Sequence, residues 1–536
     1  MKNKLWLVSF AGGLLCGLSW FDKATGLIII TALVPFLYIL HHSVQEKVPG
    51  SLIFIRLLPG FLLFNLLTIS WLRNATVAGT FYVLLANTFL MSAVFWLASV
   101  IYKRSNPFLG YTSLITFWII LEHINSKVSL LTPWLNLGNT LGNEILFIQW
   151  YDTTGVPGGS LWILLCNLSL LYIILGIKER GKLSFQRISV FIILFFLPSG
   201  ISAAKFLKSE HHGSRSEFLI VQPNIDPYNE KFDGIPFDIQ LSNMLKLIDD
   251  NISDSTDWAI LPETAIDDPF YEEGVKDNKY YLMIDSLLAC YPGLSVITGA
   301  TTMRLFHHSD RDLPEHARRI DSSRVYYEVY NSAMQVNPDS DVNFYHKSKL
   351  VPGIEQKIRS LPKFVSERII PDLGGTMTGY SPQDERTVFL HHNGISAAAP
   401  VICYESVFGE FVTEYTRKGA NVLVIITNDG WWENTAGYRQ HLMFARIRAI
   451  ENRRPVARAA NTGISCFIDT KGRILEKSGW WEEAVLTHSL ELSNELSFYS
   501  QNGDFISRYI SVFGVFLLII AFIGAPLRKL RDNQKF

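Results

Sequence analysis

Charge is what the first part of this sequence lacks. Residues 1–204 hold only 19 of the chain's 97 Asp, Glu, Lys and Arg residues, and the other 78 fall in residues 205–536. So little charge excludes a water-exposed domain and points to a membrane region followed by a water-soluble one. The span interiors are read as nearly free of charge, which argues against a transport pathway built on paired intramembrane charges. The net charge of −1 leaves no basic excess of the kind nucleic acid attracts, so no nucleic-acid partner is expected. The five cysteines, at 16, 166, 290, 403 and 466, show neither metal nor disulfide spacing, and no metal or organic cofactor is expected. Cys16 and Cys166 lie in apolar runs and read as packing residues. No small-x-small cleavage site follows the first apolar run, so that run reads as a retained span and not a cleaved leader.

The apolar runs are long enough to be counted. They lie near 4–20, 24–42, 51–72, 80–102, 107–124, 158–177 and 187–204, with an eighth near 506–526. Each approaches the roughly 20 residues that a bilayer core requires. Basic residues set the orientation. Lys2, Lys4, Lys47, Lys103, Arg104, Lys178, Arg180, Lys182 and Arg187 fall on one side, with Arg528, Lys529, Arg531 and Lys535 after the last run. Only Lys23, Arg73 and Lys127 fall on the other. This places both termini in the cytoplasm and the large domain outside, in the periplasm if the cell is bacterial. The expected division is a seven-helix region over 1–204, a domain over 216–500, a last span over 506–526 and a cytoplasmic tail over 527–536. Trp134, in the loop 128–157, reads either as an interfacial anchor or as part of a substrate-access element.

Within 216–500, strand patterns fall at 217–222, 258–261, 294–299, 333–337, 399–403, 422–427, 456–460 and 465–469. Helical patterns lie between several of them, at 237–250, 279–289, 409–418 and 438–452. Strands alternating with helices imply a layered α/β fold with buried sheets. The polar stretch 303–325, with His307, His308 and His316, matches no zinc spacing and reads as a solvated insertion.

Three strand ends carry chemistry. The stretch AAAPVICYES runs into Cys403, LPET at 261–264 presents Glu263, and YHKSKL at 345–350 offers Lys347 or Lys349. A thiol of ordinary pKa near 8.5 needs a base or a neighbouring cation to attack at neutral pH. A carboxylate can take its proton, and an ammonium can stabilise the oxyanion that forms on an attacked carbonyl. Spacing alone does not choose between the two lysines.

In the order Glu, Lys, Cys with these flanks, the sequence resembles the nitrilase (carbon–nitrogen hydrolase) superfamily. Joined to about eight spans, it resembles in particular the bacterial apolipoprotein N-acyltransferase family. The motifs that carry this are VQPN at 221–224, LPET at 261–264, YHKSKLVPGIE at 345–355, CYES at 403–406 and TNDGWW at 427–432. The run QHLMFARIRAIENRRPVARAANTGIS at 440–465 and the pair GD at 503–504 extend the match over nearly the whole chain.

The resemblance implies an α-β-β-α sandwich on a polytopic helical membrane region. It selects Lys347 over Lys349 and implies Glu263 as general base, Lys347 as oxyanion stabiliser and Cys403 as nucleophile. Glu355 matches a second carboxylate that orients the lysine and cysteine, although relatives read VPFGE where this chain has Val351-Pro-Gly-Ile-Glu355. Tyr404 and Glu405 match the pair after the nucleophile, with Glu405 supporting the lysine or forming an ordinary ion pair. The family's tryptophan after the first strand is missing, and Phe232 is the nearest aromatic. Trp431, Trp432, Phe408 and Ile354 read as lipid contacts or as ordinary packing. The implied reaction moves an acyl chain from a phospholipid, phosphatidylethanolamine above all, through a cysteine thioester. The acceptor is the α-amino group of a lipoprotein's diacylglyceryl-cysteine, and the implied setting is the bacterial inner membrane.

Overall fold

Apolar sequence with few charges folds here as helix, the form in which a segment satisfies its own backbone hydrogen bonds without water. The computed structural model describes residues 4–128, 130–208, 213–231, 234–307, 313–321, 324–356 and 379–533. The chain divides into two units. One comprises Met1–Arg73, Ala78–Lys208 and Asn502–Phe536; the other comprises Asn74–Val77 and Ser209–Gln501.

In the first unit, among the described residues, six helices are long and apolar enough to cross a membrane. They are Gly26–Gln45, Gly50–Asn74, Val77–Arg104, Pro107–Lys127, Tyr151–Glu179 and Phe185–Leu207. The first and last expected spans correspond to shorter apolar helices, Leu5–Leu18 and Phe505–Ile519. Two of the charged residues in these helices are buried. Arg56 is buried and donates from Nη1 to Ser43 Oγ at 2.8 Å. Glu122 is buried and accepts at Oε1 from Trp118 Nε1 (2.9 Å) and from the Leu137 backbone N–H (2.8 Å). That second bond ties the loop after Pro107–Lys127 back onto its own helix. Trp134 is 5% exposed, with its ring centroid 5.0 Å from that of Trp71, so its indole packs against protein.

The second unit contains two β-sheets. The first holds β1 (Arg215–Gln222), β2 (Thr256–Ile260), β3 (Ile266–Tyr271), β4 (Ser295–His307), β5 (Arg318–Arg319), β6 (Val325–Val336) and β7 (Asn343–His346). The second holds β8 (Phe389–Leu390), β9 (Ala397–Ile402), β10 (Val422–Thr427), β11 (Val456–Ala460), β12 (Cys466–Ile468) and β13 (Ile474–Lys477). A last strand, β14 (Ala484–Glu491), returns to the first sheet, whose order is β14-β1-β2-β4-β6-β5, with β3 beside β4 and β7 beside β6. The second sheet runs β13-β12-β11-β10-β9-β8.

Every residue of β9, β10 and β11 is buried. That is why β9 and β10 read as continuous apolar runs and not as alternating ones, while β11 carries Arg458 within an otherwise small and apolar run. The helices Phe237–Asp249 and Lys279–Leu288 pack Leu241, Met244, Ile248, Ile284 and Leu288 against Leu219, Val221, Val296 and Met334 of the first sheet. Gly409–Arg417 and Ala436–Asn452 cover the second. The result is helix, sheet, sheet, helix.

β4 and β6 pair antiparallel without interruption from Val296↔Val336 to His307↔Val325, so residues 303–307 and 325 of the stretch 303–325 belong to this hairpin, and Arg318 and Arg319 pair with β6 beside it. His308 lies outside the described residues.

Candidate active site

Glu263, Lys347 and Cys403 all stand just beyond the carboxyl ends of strands, at β2, β7 and β9. In α/β architectures that end is where ligands bind. Register brings them together. Leu261 N–H donates to Ile297 O (2.8 Å) and Gly299 N–H to Pro262 O (3.1 Å), so β2 continues along β4 as far as Glu263. The Lys347 N–H donates to Asn331 O (2.8 Å), fixing the lysine beside β6.

β9 includes a proline yet is an inner strand. Its outer neighbour β8 pairs only with Ala397 and Ala398, so Pro400 lies where no ladder donor is needed on that side. The strand stops at Cys403, whose φ of +49° is left-handed, and a short 3-10 helix, Cys403–Val407, begins there. This sharp turn sets the thiol at the end of the sheet.

The polar groups close on one another. Lys347 Nζ donates to Glu263 Oε1 (2.8 Å) and Glu355 Oε1 (2.7 Å), and Asn331 Nδ2 donates to the same two oxygens at 2.9 and 3.0 Å. Glu263 Oε2 accepts from the Asn428 N–H (3.1 Å), and Glu355 Oε2 from the Val351 N–H (2.8 Å). The ammonium is 1% exposed. Burial alone would lower the lysine's pKa, but Glu263 and Glu355, with Cys403 beside them, hold it well above its usual value. Burial likewise pushes Glu263 up, and Lys347 and Asn331 outweigh this and hold it below the ordinary carboxylate range. The Cys403 thiol is raised well above its usual value, by burial first and then by Glu263, with Lys347 only partly opposing. At rest the site therefore holds a thiol, a carboxylate and an ammonium. A thiolate forms only as its proton leaves for a neighbouring base.

The other residues read from the sequence fall as follows. Lys349 is not in the cluster; its ammonium lies 5.4 Å from the centroid of the Phe408 ring. Glu405 is fully buried and accepts from the Ile402 N–H (2.8 Å), the Ser348 N–H (2.6 Å) and the Tyr345 hydroxyl (2.7 Å). Among the described residues it makes no ion pair. It staples the lysine loop to the cysteine turn, and Lys347 acts on it electrostatically, partly offsetting the rise in its pKa that burial causes. Tyr404 stands edge-on to Phe408, 5.1 Å between centroids. Trp431 stands edge-on to Tyr228 at 5.4 Å and Trp432 edge-on to His441 at 5.3 Å, so both indoles have protein neighbours. Ile354 is half-buried. Phe232 lies outside the described residues.

Sequence reasoning missed Asn331 and Lys231. Asn331 sits mid-strand in β6, where nothing in its flanks marks it. Lys231 is buried and donates from Nζ to Thr264 Oγ1 (2.5 Å) and to Glu263 O (3.4 Å). It thus holds the turn at Glu263 and Thr264, the latter with a φ of +51°. Asp267 lies near it; burial pushes that carboxyl up to about 6, with Lys231 and the Thr301 hydroxyl opposing. A lysine just outside a strand pattern gave no signal.

The backbone at Glu263 leaves no room for a side chain opposite it. A Cβ on Gly299 would lie 2.4 Å from Thr264 N and 2.6 Å from Glu263 Cα. Gly299→Ala is expected to push that turn out of place. It should cost about 1–3 kcal/mol of stability and about 10²-fold in turnover, checked by thermal unfolding in detergent alongside an activity assay.

The family described as Apolipoprotein N-acyltransferase N-terminal domain matches residues 12–169, and the family described as Carbon-nitrogen hydrolase matches residues 240–496. The apolipoprotein N-acyltransferase of Chlorobaculum tepidum is 29% identical over 97% of each chain. That of Geobacter metallireducens is 30% identical over 74% of this chain and 71% of its own, and that of Haemophilus influenzae 26% identical over 77% and 74%. Among solved structures, Saccharomyces cerevisiae Nit3, of the nitrilase superfamily, is 16% identical, covering 53% of this chain and 92% of its own, with a TM-score of 0.36.

Proposed function

As this chain belongs to the apolipoprotein N-acyltransferase family, we propose that it works by a two-step exchange on Cys403. In the first step Glu263 takes the thiol proton as sulfur attacks the ester carbonyl of a phospholipid, phosphatidylethanolamine by preference. Lys347 stabilises the tetrahedral oxyanion, the ester C–O bond breaks, and the lysophospholipid leaves with the proton from Glu263. In the second step the α-amino group of a diacylglyceryl-cysteine attacks the thioester. Glu263 takes its proton, the C–S bond breaks, and the thiol is restored while the acyl chain passes to nitrogen. Glu355 orients the lysine. Trp431 and Trp432 border the lipid chain, and Phe232 takes the place of the family's tryptophan.

The observation that carries this reading is the closed contact of Glu263, Lys347 and Glu355 next to a buried cysteine in a left-handed turn. A site this enclosed also suits transfer without hydrolysis, because water must be kept from the thioester. We read the membrane region as eight spans, the two short apolar helices completing the six long ones. Both termini are placed in the cytoplasm and the catalytic domain in the periplasm. Flanking spans suit the substrates, since drawing lipid out of a bilayer costs about 0.8 kcal/mol per methylene.

Intact mass of the protein after incubation with phosphatidylethanolamine tests this. The expected result is one acyl adduct on the native chain, none on Cys403→Ala, and discharge by a diacylglyceryl-peptide to an N-acylated product. Discharge by water alone would replace the transferase with a hydrolase. An adduct persisting in Cys403→Ala would remove Cys403 as nucleophile.

A further inference from the structure

Behind the cysteine lies a second set of charged groups that the mechanism does not use. Asp429 is fully buried. Its Oδ2 accepts from Arg458 Nη2 (2.5 Å), and its Oδ1 accepts from the Thr427 hydroxyl (2.8 Å) and faces His441 Nδ1 (3.0 Å). Burial would push this carboxyl up, but Arg458 and then His441 hold it well below the usual range. The far side of the imidazole reaches the nucleophile. His441 Nε2 lies 3.0 Å from the Cys403 carbonyl oxygen and 2.9 Å from Ser406 Oγ, which itself donates to that carbonyl at 2.8 Å. Arg458 is held in turn by a bond to Ile464 O. None of the four side chains is more than 1% exposed.

We infer that the buried chain Arg458–Asp429–His441, with Ser406, is a clamp that positions the nucleophile by holding the Cys403 carbonyl. Cys403 is a non-glycine residue at φ +49°, a conformation that is unfavourable for an L-residue and persists only where its surroundings fix it. Bonds to its carbonyl fix the rotation of the peptide that follows. That peptide is planar and trans, so turning its C=O toward His441 turns the Tyr404 N–H the opposite way. Sγ and the following backbone donor are thus oriented together. A histidine suits the task because its two nitrogens lie on opposite edges of one rigid ring. One edge faces an ionised, arginine-paired carboxylate, with Arg458 Nη2 also 3.1 Å from Nδ1, and the other, carrying its hydrogen on Nε2, donates to the carbonyl. These residues act through Cys403 and touch no reacting atom.

This rests on Cys403 being the nucleophile, and the test keeps the two ideas apart. His441→Gln keeps an amide donor where Nε2 lies and loses the Asp429 bond. His441→Asn keeps a donor toward Asp429 and loses the carbonyl bond. Two rates are measured for each: phospholipid acylation, split into kcat and KM, and site-resolved alkylation of Cys403 by iodoacetamide at fixed pH. The exposed Cys290 serves as the internal reference.

The clamp predicts that the asparagine variant loses about 10²-fold in kcat with KM little changed, and alkylates slowly at Cys403 alone. The glutamine variant should retain most of both rates. Ser406→Ala, which removes one of the two bonds to the carbonyl, should fall between them even if neither histidine variant folds. Equal losses in the two histidine variants that track their melting temperatures would overturn the clamp, as would unchanged Cys403 alkylation in all three. A native chain that never acylates at Cys403 would overturn the catalytic reading instead, while the alkylation order would still judge the clamp.

Discussion

Replacing Glu263 with glutamine is expected to slow formation of the acyl-enzyme by about 10²–10⁴-fold, the range over which a positioned general base contributes. The change is nearly isosteric, and the amide oxygen can still accept from Lys347 Nζ and Asn331 Nδ2 as Oε1 does now. What is lost is the acceptor for the thiol proton. Because burial already holds the Cys403 thiol well above its usual pKa, no standing thiolate remains to compensate. The new amide N–H₂ also faces the Asn428 N–H, which now donates to Oε2 at 3.1 Å, and a pair of facing donors costs about 1–3 kcal/mol. The measurement is the single-turnover rate with a fluorescent phospholipid, read together with the melting temperature in detergent. A loss of under tenfold would remove Glu263 as the base.

Lys347→Met should damage both activity and fold. The ammonium is the shared counter-charge of Glu263 and Glu355, at 2.8 and 2.7 Å, and is almost wholly buried. Without it two carboxylates face each other with only Asn331 between them. Removing one partner of a buried pair typically costs about 3–5 kcal/mol. In the native chain Glu263 sits below its ordinary value, so its ionised form adds stability above about pH 4.3. That stability is lost as pH falls through the depressed value. In the variant, burial and like charge raise the carboxyl above its unfolded value, so the folded state binds the extra proton and stability falls as pH rises. The gap in melting temperature between native and variant should therefore be widest near neutrality and shrink toward pH 5. A gap that is the same at pH 5 and pH 8 would show that the lysine serves packing and not charge balance.

Much of this site was legible because its parts stand at strand ends, where local sequence states both position and chemistry. β10 was read to the residue, since a fully buried strand appears as an apolar run bounded by polar residues, and so was β11, although Arg458 interrupts its run. Glu263 and Cys403 followed as the first reactive groups beyond such runs. The choice between Lys347 and Lys349 was not a local matter. It depends on the register of β7 against β6, which pairs Ser332 with His346 and delivers the next residue to Asn331. Resemblance supplied that choice; spacing did not. Asn331 and Lys231 were invisible for a related reason: each is defined by what crosses over to meet it. His441 and Asp429 stood in the motifs quoted from the sequence but carried no role, because their connection runs behind the nucleophile between elements 12 residues apart in the chain. Six of the eight apolar runs read from hydropathy correspond to helices long and apolar enough to cross a membrane. Trp134 was left open between two roles, because composition cannot tell an indole facing lipid from one facing Trp71.

The pairing of β1 with β14 bears on how the protein is made. Eight residues of β1 match eight of β14, from Arg215↔Glu491 to Gln222↔Ala484, and Leu492 N–H closes onto Ser214 O at 2.8 Å. The first strand of the domain to leave the ribosome is thus completed by the last. While some 260 residues are still being synthesised, β1 has an open hydrogen-bonding margin, and such margins recruit other strands. A nascent chain arrested shortly before Ala484 should be markedly prone to aggregation and to protease, and one arrested after Leu492 should not. Quality control of this protein is therefore decided by a strand made almost at the end of translation.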